Sequence, residues 1–155
     1  MHFKPKQLNN TLSKLYRIAM RLILTTFFVL LALITAHSQE GPQYQISIYF
    51  GGGSYYISEE QKNAITEFLN GVPHVEQYSI TIHSHTDNIG AVEFNNWLSQ
   101  MRSHSAMEQL LINSIKQEMI EIKDFGLHNP VYDNSTWEGK LKNRRVDIFL
   151  WPLAL

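Results

Sequence analysis

The chain opens with a segment that decides how much of it is left to fold. Lys4, Lys6, Lys14, Arg17 and Arg21 precede an apolar run over residues 22–34, broken only by Thr25 and Thr26, and Ala36, His37 and Ser38 follow. Charge, then an apolar run, then small residues is the order of a secretory signal. The run is about 13 residues, short of the roughly 20 that a helix needs to span a bilayer. Ala36 and Ser38 fit the small-residue positions ahead of a cut before Gln39, so residues 1–38 are expected to be a signal peptide removed on export. A retained membrane anchor is the alternative. The basic leader is long, and Met20-Arg21 would open a compact signal by itself, which makes Met20 a second candidate start.

Losing residues 1–38 changes the charge of what remains. The whole chain has 13 Lys and Arg against 14 Asp and Glu; five of the basic residues and none of the acidic ones lie in the segment, which leaves eight basic residues and a net charge of about −6. Nucleic acid is held through clustered Lys and Arg, so it is excluded as a partner. Only residues 140–145 form a basic stretch. The chain has no cysteine, which removes both disulfides and a lipid-modified cysteine from consideration. Its stability must come from packing. After a short lead over residues 39–43, residues 44–155 suit one domain that buries roughly two thirds of its unfolded surface.

Residues 44–50 are rich in β-formers, and Gly51-Gly52-Gly53 then ends the run, so a strand followed by a permissive loop is expected. Ser58 followed by Glu59, Glu60 and Gln61 reads as a helix N-cap with an acidic first turn and a Gln at the capping-box position. Ile65, Phe68 and Leu69 give that helix its apolar face, and it should stop near Gly71, before Pro73. Residues 78–83 alternate, with Tyr78, Ile80 and Ile82 on one face, which predicts a half-buried strand. A second helix is expected from about 93 to 113, a strand near 119–125 and a last strand over 146–151. Helices alternating with strands indicate an α+β fold, an α/β sandwich.

Within the second helix the i+4 series Phe94, Leu98, Arg102, Ala106 and Leu110 sets an arginine in an apolar stripe. Burying a guanidinium without a partner costs several kcal/mol. Arg102 either snorkels to solvent, caps a structural ion pair, or faces an anion. The loop ahead of the helix offers Asp87 within Thr86-Asp87-Asn88-Ile89-Gly90. Asp87 can be a turn residue bonding its own backbone. Equally, an exposed Asp beside an exposed Arg would receive an amino-acid zwitterion, the carboxylate accepting from the ammonium and the guanidinium donating to the carboxylate.

These residues resemble the OmpA-like C-terminal peptidoglycan-binding domain, also found in Pal lipoproteins and in the periplasmic part of flagellar stators. His85-Thr86-Asp87-Asn88-Ile89-Gly90 looks like its HTDxxG loop, and Phe94-Asn95-Asn96-Trp97-Leu98-Ser99 like YNxxLS. Arg102 looks like the second arginine of LSxRR, and Asn129-Pro130 with Asn134, Glu138, Gly139 and Asn143-Arg144-Arg145-Val146 like the NPxxxN…EGxxxNRRV end. The likeness covers residues 44–151. It implies a β-α-β-α-β-β fold with helices on one face of a mixed sheet. It also implies non-covalent binding of peptidoglycan through the diaminopimelate end of the stem peptide, anchoring or stabilising the bacterial envelope. Asp87, Arg102 and Arg144 would be the ligand-binding residues, supported by Thr86, Asn95 and Arg145, with Arg145 more structural than ligand-binding. No catalysis and no cofactor are implied; the location would be exported and periplasmic, with association to the outer membrane and to other envelope proteins allowed. Gly51, Gly52 and Gly53 replace an FDxN pattern, Ser84 a Gly, Met101 the first arginine of the helix pair, and Ser114 a helix-ending Gly.

Two other classes stay open. One is a membrane-retained scaffold of a larger envelope machine. The other is a metal-dependent hydrolase, because His83 and His85 share a strand face and Asp87 follows two residues on; no HExxH-type helix accompanies them, so no metal is expected. His74, His104 and His128 are isolated and read as surface or packing residues. Trp97, Trp137 and Trp151 could stack on carbohydrate, but at one per element they read as core packing or surface cover.

Overall fold

A computed structural model describes residues 5–36 and 41–153. The chain divides into two compact units, residues 1–40 and 41–155. The described part of the first is one helix, α1 (Pro5–Ala36). Thr25 and Thr26 fit within it because their hydroxyls donate back to the Leu22 and Ile23 carbonyls, the local bond that lets a β-branched polar residue sit in a helix. Among the described residues no helix is long and apolar enough to cross a membrane. His37, Ser38 and Gln39, around the expected cut, lie outside the described residues.

The second unit runs β1 (Tyr44–Tyr49), α2 (Glu59–Asn70), β2 (Tyr78–His85), α3 (Val92–Ile112), β3 (Ile120–Gly126), α4 (Trp137–Asn143) and β4 (Arg145–Pro152). It is the expected α+β arrangement with one added element, the short helix α4 before the last strand. The sheet order is β1-β4-β2-β3. β2 and β3 are parallel, joined by α3 as the crossover, while β4 lies antiparallel to both β1 and β2.

Alternation sorts the sheet into two faces. Ile48, Ile80, Ile82, Val146, Ile148 and Leu150 point to one, where they meet Ile65 and Leu69 of α2 and Ala106 and Leu110 of α3 in a single apolar core. The other face carries Ser47, His83, His85, Arg145 and Asp147 together with Phe149 and Trp151. Here Ser47 Oγ donates to Asp147 Oδ1 at 2.6 Å and Arg145 Nε to Asp147 Oδ2 at 2.9 Å. β2 is more than half-buried, because Thr81 on this second face accepts from Trp151 Nε1 at 2.9 Å.

Local chemistry sets the ends of the helices. Ser58 Oγ accepts from Gln61 N and Gln61 Oε1 accepts from Ser58 N, so the expected capping box starts α2. α4 starts at Thr136, whose hydroxyl accepts from Gly139 N. A Cβ on Gly139 would overlap the Asp133 carbonyl, so only glycine lets the helix close against the preceding loop. Asn143 at its end accepts from Val131 N and Tyr132 N and donates to the Tyr132 carbonyl and Asn134 Oδ1. That network fixes where the chain turns into Arg144.

Candidate functional site

Four segments meet at a pocket of about 190 Å³: the glycine loop after β1, the loop after β2, the N-terminal half of α3 and the α4–β4 junction. Asp87, Arg102 and Arg144 all line it, with Thr86 and Asn95. Arg145 does not. As the next residue of an extended strand it points to the far face, where it is paired with Asp147 and lies over the Tyr132 ring at 5.5 Å.

Arg102 and Asp87 are buried, not exposed, at 0% and 6%. Arg102 neither snorkels nor pairs with a carboxylate. Its Nε donates to the Ser54 carbonyl at 2.9 Å, Nη1 to the His85 carbonyl at 2.9 Å and Nη2 to the Gly51 carbonyl at 3.1 Å, with the Phe50 ring 4.9 Å from Cζ. A guanidinium has five N–H donors, so two remain beyond these three bonds. Burial draws its pKa down to about 10, against the pull of Asp87 that holds it up, and it stays cationic at neutral pH.

The carboxylate of Asp87 has two partners. Oδ2 accepts from Arg144 Nε at 2.7 Å, and Oδ1 accepts from Ile89 N at 3.1 Å. The second bond is the turn-residue role; the first ties the loop to a residue 57 positions later. Gly90, at φ +99, then bends the chain into α3, and Asn95 holds that bend by donating to the Ile89 and Ala91 carbonyls. Thr86 Oγ1 is buried in the pocket lining without a hydrogen-bond partner among the described residues. Two guanidiniums against one carboxylate leave the pocket net cationic, with a free hydroxyl and spare N–H donors. Such a site suits a ligand bearing carboxylate together with a group that can reach Asp87.

The glycine loop takes part through its backbone. Gly51 supplies a carbonyl to Arg102, and a Cβ on Gly52 would come within 3.3 Å of Arg144 Nη1. The carbonyls of Gly51, Ser54 and His85 that satisfy Arg102 lie far from it along the chain, and no side-chain pattern marks them. Three glycines between a strand and a helix were the one signal of close backbone approach. Phe94, expected in the apolar stripe of α3, is instead 44% exposed and lines the pocket.

His83 and His85 belong to the second face. His85 stacks on Phe125 at 5.0 Å, and His83 meets Phe125 and Phe149 edge-on. Asp87 is turned from them to Arg144, and among the described residues no group of three or more His, Cys, Asp or Glu is placed to hold a metal.

The OmpA family model matches residues 49–144. The probable lipoprotein YiaD of Escherichia coli is 30% identical over 107 residues, which are 69% of this chain and 49% of that protein. The peptidoglycan-binding protein ArfA of Mycobacterium tuberculosis is 33% identical over 86 residues, 56% of this chain and 26% of that one. The chain therefore spans about half the length of the first relative and a quarter of the second. Among solved structures, the peptidoglycan-associated lipoprotein of Burkholderia pseudomallei superposes with a TM-score of 0.62 at 24% identity, over 68% of this chain and 89% of that one.

Proposed function

The chain belongs to the OmpA family, and from that premise we propose that its second unit binds peptidoglycan non-covalently, taking the diaminopimelate end of a stem peptide between Asp87, Arg102 and Arg144. The observation that carries this reading is the convergence of those three charges on one small pocket. The ligand's ammonium would approach Asp87, and its carboxylate the free N–H groups of Arg102 and Arg144, with Thr86 Oγ1 completing the set. Arg144 already bonds Asp87, so the ligand enters a charge pair rather than an empty carboxylate. ArfA's name supports peptidoglycan as the partner. The proposed role is binding without catalysis, in an exported protein of the periplasm.

Full-length protein is expected to sediment with insoluble peptidoglycan, to be released by free diaminopimelate, and to be indifferent to chelator. Asp87→Asn keeps the shape and removes the charge; it should weaken binding on the order of 10- to 100-fold, the loss of one charge-assisted hydrogen bond. Sedimentation that survives Asp87→Asn sinks the reading. Arg102→Ala is a poorer test, because it strips donors from three buried carbonyls as well.

A further inference from the structure

Beside the pocket lies a run of aromatic side chains that the charged triad does not use. We propose that this ridge, Phe94, Trp97 and Tyr55, is a saccharide-stacking subsite that takes a sugar of the glycan strand carrying the bound stem peptide; it rests on the pocket reading above and extends it.

The ridge begins at the pocket wall. Phe94 meets Trp97 with centroids 5.8 Å apart, and Trp97 meets Tyr55 edge-on at 5.9 Å. Aromatic pairs of this geometry are worth their packing in a core, yet these three rings are 44%, 45% and 41% exposed. Contiguous exposed apolar surface of this kind marks a binding face. Past Tyr55 the surface sinks into a second hollow of about 210 Å³, lined by Tyr56, Lys62, Ser105, Glu108 and Gln109. Flat rings followed by hydroxyl, amide and carboxylate groups match a sugar, whose C–H face packs on an aromatic ring while its hydroxyls hydrogen-bond at the edge.

Length fits as well. Diaminopimelate is the third residue of a stem peptide, so two residues separate it from the muramic sugar. Two extended α-linked residues reach about 7 Å, the γ-link of the second and the lactyl ether of the sugar lengthen that span, and the ridge leads from the pocket wall in ring steps of 5.8 and 5.9 Å. A bilayer is the poorer occupant. The chain beyond residue 38 has eight basic against fourteen acidic residues, and Lys62, beside the ridge, is already paired with Glu59 at 2.6 Å. Anionic headgroups would be repelled rather than drawn in.

Titration calorimetry on the full chain compares a diaminopimelate-containing tripeptide with the same tripeptide carrying its disaccharide. The disaccharide should tighten binding about tenfold. Trp97→Ala should remove that gain and leave the tripeptide affinity unchanged, and Trp97→Phe should restore most of it. Equal affinity for the two ligands, or a gain that persists in Trp97→Ala, overturns the subsite. Trp97-dependent sedimentation with phosphatidylcholine vesicles overturns it too. Failure of the pocket reading is seen separately, as absence of tripeptide binding. In that event, Trp97-dependent binding of the peptide-free disaccharide upholds the ridge, and its absence overturns the ridge.

Discussion

Arg102 shows how one buried charge serves fold and site together. Its bonds to the Ser54, His85 and Gly51 carbonyls join residues 48, 17 and 51 positions away, so it staples the glycine loop to β2 and also lines the pocket. Neutral carbonyls satisfy the guanidinium without cancelling its charge, which keeps the field at the pocket positive. On the opposite face, His85 works through the absence of charge. Burial lowers its pKa to about 4, with Arg145 acting in the same sense and Asp147 against it. The unfolded imidazole takes its proton near 6.5, so between about 6.5 and 4 the unfolded chain binds more protons than the folded one. Stability is therefore fully present above about 6.5 and declines as the pH falls toward 4. Burial moves His83 in the same direction. His85→Phe keeps the stack on Phe125 and should flatten that decline by on the order of 1 kcal/mol, allowing for solvent screening. Urea midpoints of both proteins across this pH range check it; an unchanged slope would exclude His85 as the source.

At the scale of elements, the end of α3 is a Schellman motif closed by the wrong residue. Ile115 N donates to the Leu110 carbonyl and Ser114 N to the Leu111 carbonyl, and Ile115 is buried in the core. That geometry puts Ser114 at φ +65, a left-handed conformation that strains any residue with a Cβ. The family pattern has a glycine where this chain has Ser114, and the left-handed backbone is the reason a glycine suits the position. Ser114→Gly should raise the free energy of unfolding by about 1 kcal/mol, read as a higher urea midpoint with an unchanged m-value. The start of α2 was legible from Ser58 and Gln61 because a capping box is a bond between near neighbours. α4 was not. It has seven residues, one glycine among them, and stands because the Thr136 cap and the bonds of Asn143 to Tyr132 and Asn134 tie it to the preceding loop.

For the whole molecule, the fate of residues 1–38 decides whether the second unit is released or tethered. We expect the exported protein to begin at Gln39 or its pyroglutamate form, by mass spectrometry of its N-terminus; an intact N-terminus would instead show a retained anchor and favour the scaffold reading. Charge order, apolar run and small residues carry that expectation, since a signal is read as a linear segment. The sequence by itself determined what neighbours along the chain decide: strand and helix periods, caps, the turn at Asp87, and the oddity of an arginine in an apolar stripe. Only the tertiary structure decided what Arg102 touches, that Arg144 shares Asp87 across 57 residues, that Arg145 faces away, and that Phe94, Trp97 and Tyr55 line up beside the pocket. The reason is physical. Local hydrogen bonds fix torsions and faces, whereas the order β1-β4-β2-β3 and its register choose which distant side chains meet.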